Sequence, residues 1–257
     1  MLTNRINHII KNSSADIAVL VKDLKEDKVI FKYNEDKKYV SASIIKVPIM
    51  IEALSRVDLG EINFDDKFNI GDDNKVDFSV ITEQDLKECT FEELIEWMII
   101  SSDNTATNVL IDILGLENIN DRIKKLNMKN TLLERKMMDF KAIEYGRNNY
   151  TSLNDMLIAM EGLYRGVLIS SEMSLKAIDI LKNQRDNFML KRYIRDNVTL
   201  ANKTGELDKL NNDVGIFYTK NHNYFIGIFV HDVKKNKDAY EIIGKISKEV
   251  YDYYKNI

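Results

Sequence analysis

The chain has 257 residues, 44% of them apolar and 30% charged, with a net charge of −4. That length buries one large core or two lobes, and the composition is that of a folded globular protein, not a disordered or fibrous one. Interspersed charges exclude a basic footprint for nucleic acid or an anionic membrane, the single Cys89 excludes an intrachain disulfide, and the scattered His8, His222 and His231 give no metal set.

Leu2, Ile6, Ile9 and Ile10 fall on one face of an opening helix. No apolar run here is long enough for a signal peptide, and no later stretch reaches the roughly 20 apolar residues of a membrane span. The chain as written is expected to be cytoplasmic, or secreted or cell-surface if a leader has been removed. Strands are predicted over Asp16–Leu24 and Val29–Tyr33, joined by the polar turn Lys25–Lys28. From Ser43 to about Gly60 the pattern turns helical and apolar nearly all round, the mark of a buried central helix.

Helical signals dominate from there to about Arg192. Thr90 with Glu93 forms a capping box before Leu94, Trp97 and Met98, with Trp97 expected in the core. A helix from about Thr105 stops at Gly115. Ile119, Ile123 and Leu126 mark another, and Ser152 and Ser171 are expected to cap two more. Strand character returns over Leu200–Thr204, Val214–Thr219 and Tyr224–Val230, with Leu210–Asp213 expected as a turn. Ala239, Ile242, Ile243, Ile246 and Val250 give a closing amphipathic helix. Strands at both ends with helices between imply a discontinuous α/β lobe, residues 1–40 and 193–257, around a helical lobe, residues 41–192.

Three short motifs carry chemistry. Ser43 opens the central helix, and Lys46 lies one turn on, on the same face. A serine is a weak nucleophile that needs an adjacent base, and Lys46 serves only when neutral, which burial and a nearby cation both favour. Each residue alone is equally a helix cap and a surface lysine. Ser102-Asp103-Asn104 stands between two helices, where Ser102 or Asp103 could also act as a cap. Lys203-Thr204-Gly205 ends a strand, placing a cation and a hydroxyl where an anion could dock, with glycine allowing close backbone approach.

The three motifs, in this order, resemble those of the active-site serine penicillin-recognising enzymes, above all the class A β-lactamases. The resemblance covers nearly the whole chain. It implies an α+β fold of the β-lactamase/transpeptidase type, an antiparallel sheet with terminal helices and an inserted helical lobe, with the active site in the cleft. It also implies a serine hydrolase acting without a cofactor on a β-lactam or an acyl-D-Ala-like peptide, and hence a role in β-lactam breakdown and antibiotic resistance. By this resemblance Ser43 is the nucleophile and Ser102 relays a proton to the leaving nitrogen. Asn104 holds the side-chain amide, Asp103 fixes its loop, and Lys203 with Thr204 takes the carboxylate. Beyond Gly205, the backbone N–H of Glu206 joins that of Ser43 in an oxyanion hole. Phe78 falls near the family's aromatic at the cleft rim. A monomer is expected.

One part of the pattern departs. The family clears its acyl-enzyme with a glutamate two residues after an arginine; Arg135 fits the arginine, which puts Met137 at the glutamate. Methionine cannot take a proton. Glu134, Asp139 and Glu144 are the nearby acids, Asp139 the best placed to substitute. Acylation could therefore proceed while deacylation stalls, leaving three readings open: a β-lactamase-like hydrolase, a D-Ala-D-Ala peptidase or small-ester hydrolase, and a sensor that holds its adduct.

Overall fold

The computed structural model describes residues 1–256. Helix α1 (Leu2–Lys11) leads into the hairpin of β1 (Asp16–Asp23) and β2 (Lys28–Tyr33). A short β3 (Tyr39–Val40) and a 3₁₀ turn, Ala42–Ile45, precede α2 (Lys46–Asp58). Next come β4 (Lys67–Asn69), a 3₁₀ turn Asp72–Asn74, α3 (Val80–Glu83), β5 (Glu88–Thr90), α4 (Phe91–Ile100), α5 (Asn104–Leu114) and α6 (Leu116–Lys125). After them follow α7 (Phe140–Glu144), β6 (Tyr150–Thr151), α8 (Leu153–Arg165) and α9 (Ser171–Lys182). The chain closes with β7 (Thr199–Leu207), β8 (Leu210–Tyr218), β9 (Tyr224–His231) and α10 (Asn236–Lys255). No helix among the described residues is long and apolar enough to cross a membrane.

The main sheet is antiparallel in the order β2-β1-β9-β8-β7, so the first hairpin and the last three strands meet through the β1–β9 pair. Alternation along β1 divides its side chains between two cores. Ile17, Val19 and Val21 face α1 and α10, against Ile6, Ile243 and Ile246. Ala18 and Leu20 face the helical lobe and share its core. Both faces are covered, which is why this strand reads as a continuous apolar run. The fold is the β-lactamase/transpeptidase-like α+β arrangement expected.

Helix α2 is the axis of the helical lobe, buried from Lys46 through Ser55 and packed against α4, α5, α6 and α9. Pro48 lies in its first turn, where a missing N–H breaks no helical bond. The Thr90–Glu93 capping box is formed, and Ser152 caps α8 by accepting from the Asp155 N–H. The cap of α9 falls one residue earlier than expected: Ser170 accepts from the Met173 N–H, and Ser171 is the first helical residue. Trp97 is half-buried, packed on the edge of the core.

Leu210–Asp213 is not a turn. These residues run within β8, and the hairpin bends at Asp208-Lys209, where Lys209 takes φ +60°. Their polarity serves the interior instead. Asn212 donates to the carbonyls of Val40 (3.0 Å) and Ser41 (3.2 Å). Asp213 accepts from the Asn202 amide (2.9 Å) and the Leu190 N–H (3.2 Å). Two consecutive polar residues thus tie β8 to the neighbouring segments.

Candidate active site

Ser43 lies in the 3₁₀ turn before α2, half-buried, while Lys46 is fully buried. In a 3₁₀ turn residues i and i+3 eclipse, so Lys46 rises directly above Ser43. The turn is entered through Ala42 at φ +46°, a left-handed backbone that costs an L-residue about 1–2 kcal/mol. The Ser41 N–H, bonded to the Asn149 carbonyl (2.9 Å), and the β3–β6 pairing hold that entry in place.

Ser102 stands between α4 and α5, also left-handed at φ +55°. Asp103 fixes the bend from inside: it accepts from the Ser79 hydroxyl (2.8 Å) and from the N–H groups of Ala106 (2.8 Å) and Ile81 (3.1 Å). The bend presents three oxygens to Lys46, whose Nζ reaches the Ser102 carbonyl at 2.7 Å, Ser102 Oγ at 3.1 Å and Asn104 Oδ1 at 2.9 Å. Asn104 Nδ2 donates to the Asp77 carbonyl at 3.1 Å, which orients its amide.

Lys203, on β7, completes the set from the other side. Its Nζ donates to Ser102 Oγ at 3.0 Å and to the Thr204 carbonyl at 2.9 Å. One hydroxyl therefore sits between two buried lysines. Burial, and then the neighbouring Lys203 charge, hold Lys46 well below the ordinary lysine value. Burial lowers Lys203 less, to about 8, since Asp186 and Asp213 oppose it. Nζ of Lys46 and of Lys203 both donate to Ser102 Oγ, and the lowered pKa of Lys46 favours the neutral amine that a general base requires.

Strand β7 is the sheet edge beside the Ser43 turn. A Cβ at Gly205 would lie 2.9 Å from the Ser41 carbonyl and 3.0 Å from the Ser43 nitrogen, so only glycine permits this approach. A cavity of about 760 Å³ opens over the junction, lined by Ser43, Ser102, Asn104, Thr204, Glu206 and Phe78 among others. Lys46, Lys203 and Gly205 lie behind its wall. Lys203 thus meets the cavity through the Ser102 hydroxyl and through its field, while Thr204 is the part of that motif at the surface. Phe78 stands at the rim, 77% exposed. The Glu206 carboxylate is engaged elsewhere, accepting from Asn236 (2.8 Å) and Tyr240 (2.7 Å).

The segment after Arg135 forms the facing wall with Arg135, Met137, Met138 and Phe140. The Arg135 guanidinium bonds Asn148 Oδ1 (3.0 Å) and the Lys136 carbonyl (3.0 Å). Met137 is buried, and the three nearby acids are not part of this wall. Glu134 accepts from the Asn148 N–H (3.2 Å), Asp139 caps α7 through the Ala142 N–H (3.0 Å), and Glu144 is exposed. Sequence reasoning missed Asn108, which clamps Met137 on both sides: Oδ1 takes its N–H (2.7 Å) and Nδ2 gives to its carbonyl (3.2 Å). The signal was available, since Asn108 is four residues from Asn104 on the same helical face. Phe140 and Phe188, also at the cavity, carried none.

Comparison with known proteins agrees with this geometry. The model of the "Beta-lactamase enzyme family" matches residues 1–254. β-Lactamase VEB-1 of Pseudomonas aeruginosa is 26% identical over 99% of this chain and 91% of its own length. The β-lactamase of Sphaerobacter thermophilus DSM 20745 superposes with TM-score 0.90 at 25% identity, covering 99% of this chain and 98% of that one. PBP-A, solved as a leucine-to-glutamate variant in an acyl-enzyme complex with penicillin G, superposes with TM-score 0.91 at 23% identity over 100% and 97%. With the Ser43 turn and Ser102 at one cleft and the two buried lysines behind it, the chain belongs to the beta-lactamase enzyme family, serine hydrolases of the β-lactamase type.

Proposed function

We propose that this protein is acylated at Ser43 by β-lactams or related amides and releases the acyl group slowly. Neutral Lys46 takes the Ser43 proton as Oγ bonds the carbonyl carbon and the π electrons move to oxygen. The backbone N–H groups of Ser43 and Glu206 are assigned to that oxyanion, which the close packing at Gly205 supports. Collapse breaks the C–N bond. Ser102 passes its proton to the leaving nitrogen and is reprotonated from Lys46, leaving that amine neutral again. Thr204, backed by the Lys203 charge, binds the substrate carboxylate, and Asn104 the side-chain amide.

The observation that carries the slow second half is Met137, buried at the wall where a water-activating carboxylate is expected. Loss of a general base typically lowers the step it serves by about 10²–10⁴-fold. PBP-A, a glutamate variant of which was captured holding penicillin G, shares this fold, which supports an adduct being accommodated here. Exposure to a penicillin followed by intact mass spectrometry tests the reading: the expected result is a stoichiometric adduct that persists for many minutes and is absent from Ser43→Ala. Steady, rapid turnover of a chromogenic cephalosporin refutes slow release. An adduct on Ser43→Ala, or cleavage of simple esters without any β-lactam reaction, refutes the assignment.

A further inference from the structure

Asn212 and His231 are buried polar residues that the acylation chemistry does not use, yet they form a chain of hydrogen bonds ending at the Ser43 turn. Asn212 stands opposite Gly205 in the β7–β8 ladder. Its Nδ2 meets the Val40 and Ser41 carbonyls, and a carbonyl can only accept, so this end of the amide is the NH2 group. Oδ1 therefore faces the other way, where His231 Nε2 lies 3.0 Å off. An amide oxygen also only accepts, so Nε2 carries the proton of this contact. Burial holds His231 down to about 4, so the ring is neutral and its one N–H is committed to Asn212. The ring is packed edge-on against Tyr39, centroids 4.8 Å apart, and the Tyr39 hydroxyl donates to Asp16 at 2.9 Å.

The two carbonyls that Asn212 takes are those that govern the backbone of Ser43. The Ser41 carbonyl accepts the Ile44 N–H at 3.1 Å, the bond that closes the 3₁₀ turn. The Val40 carbonyl is the acceptor that the same i to i+3 pattern would offer the Ser43 N–H. Asn212 occupies it instead. We propose that Asn212, oriented by His231, is a positioning residue for acylation: by taking the Val40 and Ser41 carbonyls it leaves the Ser43 N–H free to meet the oxyanion. The inference rests on the acyl-serine reading above. Neither side chain lines the cavity, so both act through the turn and not on the substrate. Small displacements suffice for such an effect, since a 1 Å misplacement can cost about 10²-fold in rate. The competing account is that Asn212 does no more than satisfy two buried carbonyls, which would contribute to stability alone.

The test follows Ser43 adduct formation with penicillin G by rapid quench and intact mass over a range of concentrations, giving a limiting rate and a half-saturating concentration. Asn212→Leu, similar in size but without donors, should lower the limiting rate at least about tenfold. The half-saturating concentration should move by less than about threefold, because Thr204 and Asn104 still bind. His231→Gln keeps a donor for Asn212 Oδ1 and should stay within about threefold of the wild-type limiting rate, whereas His231→Met, of similar length, has none and should fall well below it. Thermal melts set an assay temperature at which the variants are folded, and the His231 pair decides alone if Asn212→Leu does not fold. A lowered melting temperature with an unchanged limiting rate, or equal rates for His231→Gln and His231→Met, overturns the inference while leaving acyl-serine chemistry standing. No adduct on the wild-type protein overturns the acyl-serine reading, and the inference with it.

Discussion

Under the slow-release reading, replacing Met137 by glutamate puts a carboxylate where that reading places the missing base. The backbone at this position is fixed to α5 by both ends of the Asn108 amide, and the same helix carries Asn104, whose Oδ1 accepts from Lys46 Nζ. A carboxylate at residue 137 is thereby positioned against the acylation machinery without a mobile loop, the condition under which a base is effective. Acceleration of deacylation by about 10²-fold, the lower end for a general base, corresponds to about 2.7 kcal/mol of barrier. The substitution also has a structural cost. Met137 is 7% exposed, so a carboxyl put there loses water and costs about 1–3 kcal/mol. At roughly 2–4 °C per kcal/mol for a chain of this size, melting should fall by several degrees without loss of fold. The assay forms the adduct with a penicillin, removes excess reagent and follows decay of the adduct mass. Met137→Gln, equal in shape but unable to accept a proton, serves as the control and should leave the lifetime long. A folded Met137→Glu protein whose adduct decays at the wild-type rate would refute the claim that residue 137 is the site of the missing base.

Three other predictions follow from the geometry. Gly205→Ala forces a methyl to 2.9 Å from the Ser41 carbonyl; melting should show about 1–3 kcal/mol of destabilisation, and acylation should slow by about 10²-fold as β7 moves off Ser43. The acylation rate should fall above about pH 8 as Lys203 loses its proton, and stopped-flow rates on Lys203→Arg, which stays charged, should lack that falling limb. Burial pushes the Asp213 carboxyl up to about 8, so its contribution to stability is full below the ordinary value of 3.8 and is lost as pH rises through about 8. In Asp213→Asn the melting temperature should therefore decline less between about pH 5 and pH 8 than in the wild type, and an equal decline would refute the buried protonated state.

The sequence by itself determined most of the elements and the candidate reactive set. Period-2 and period-3.6 patterning placed the terminal strands, α2 and the capped helices, because each of these buries a face whose spacing is written in the chain. The motifs at Ser43, Ser102 and Lys203 could be found because their chemistry needs particular side chains at short spacing. Met137 was legible as a departure for the same reason. Tertiary structure decided what spacing cannot encode. The run Leu210–Asp213 resembles a turn by composition, yet it lies in β8 because Asn212 and Asp213 find partners on distant segments. Ser102 becomes a bridge only when α2 and β7 bring two lysines to one oxygen from 56 and 101 residues away. Phe78, Phe140 and Phe188 share no local pattern, and only the folded chain gathers them at one cavity. Local periodicity determines which surfaces must be buried; which distant side chains then face one another is set by the packing of those surfaces.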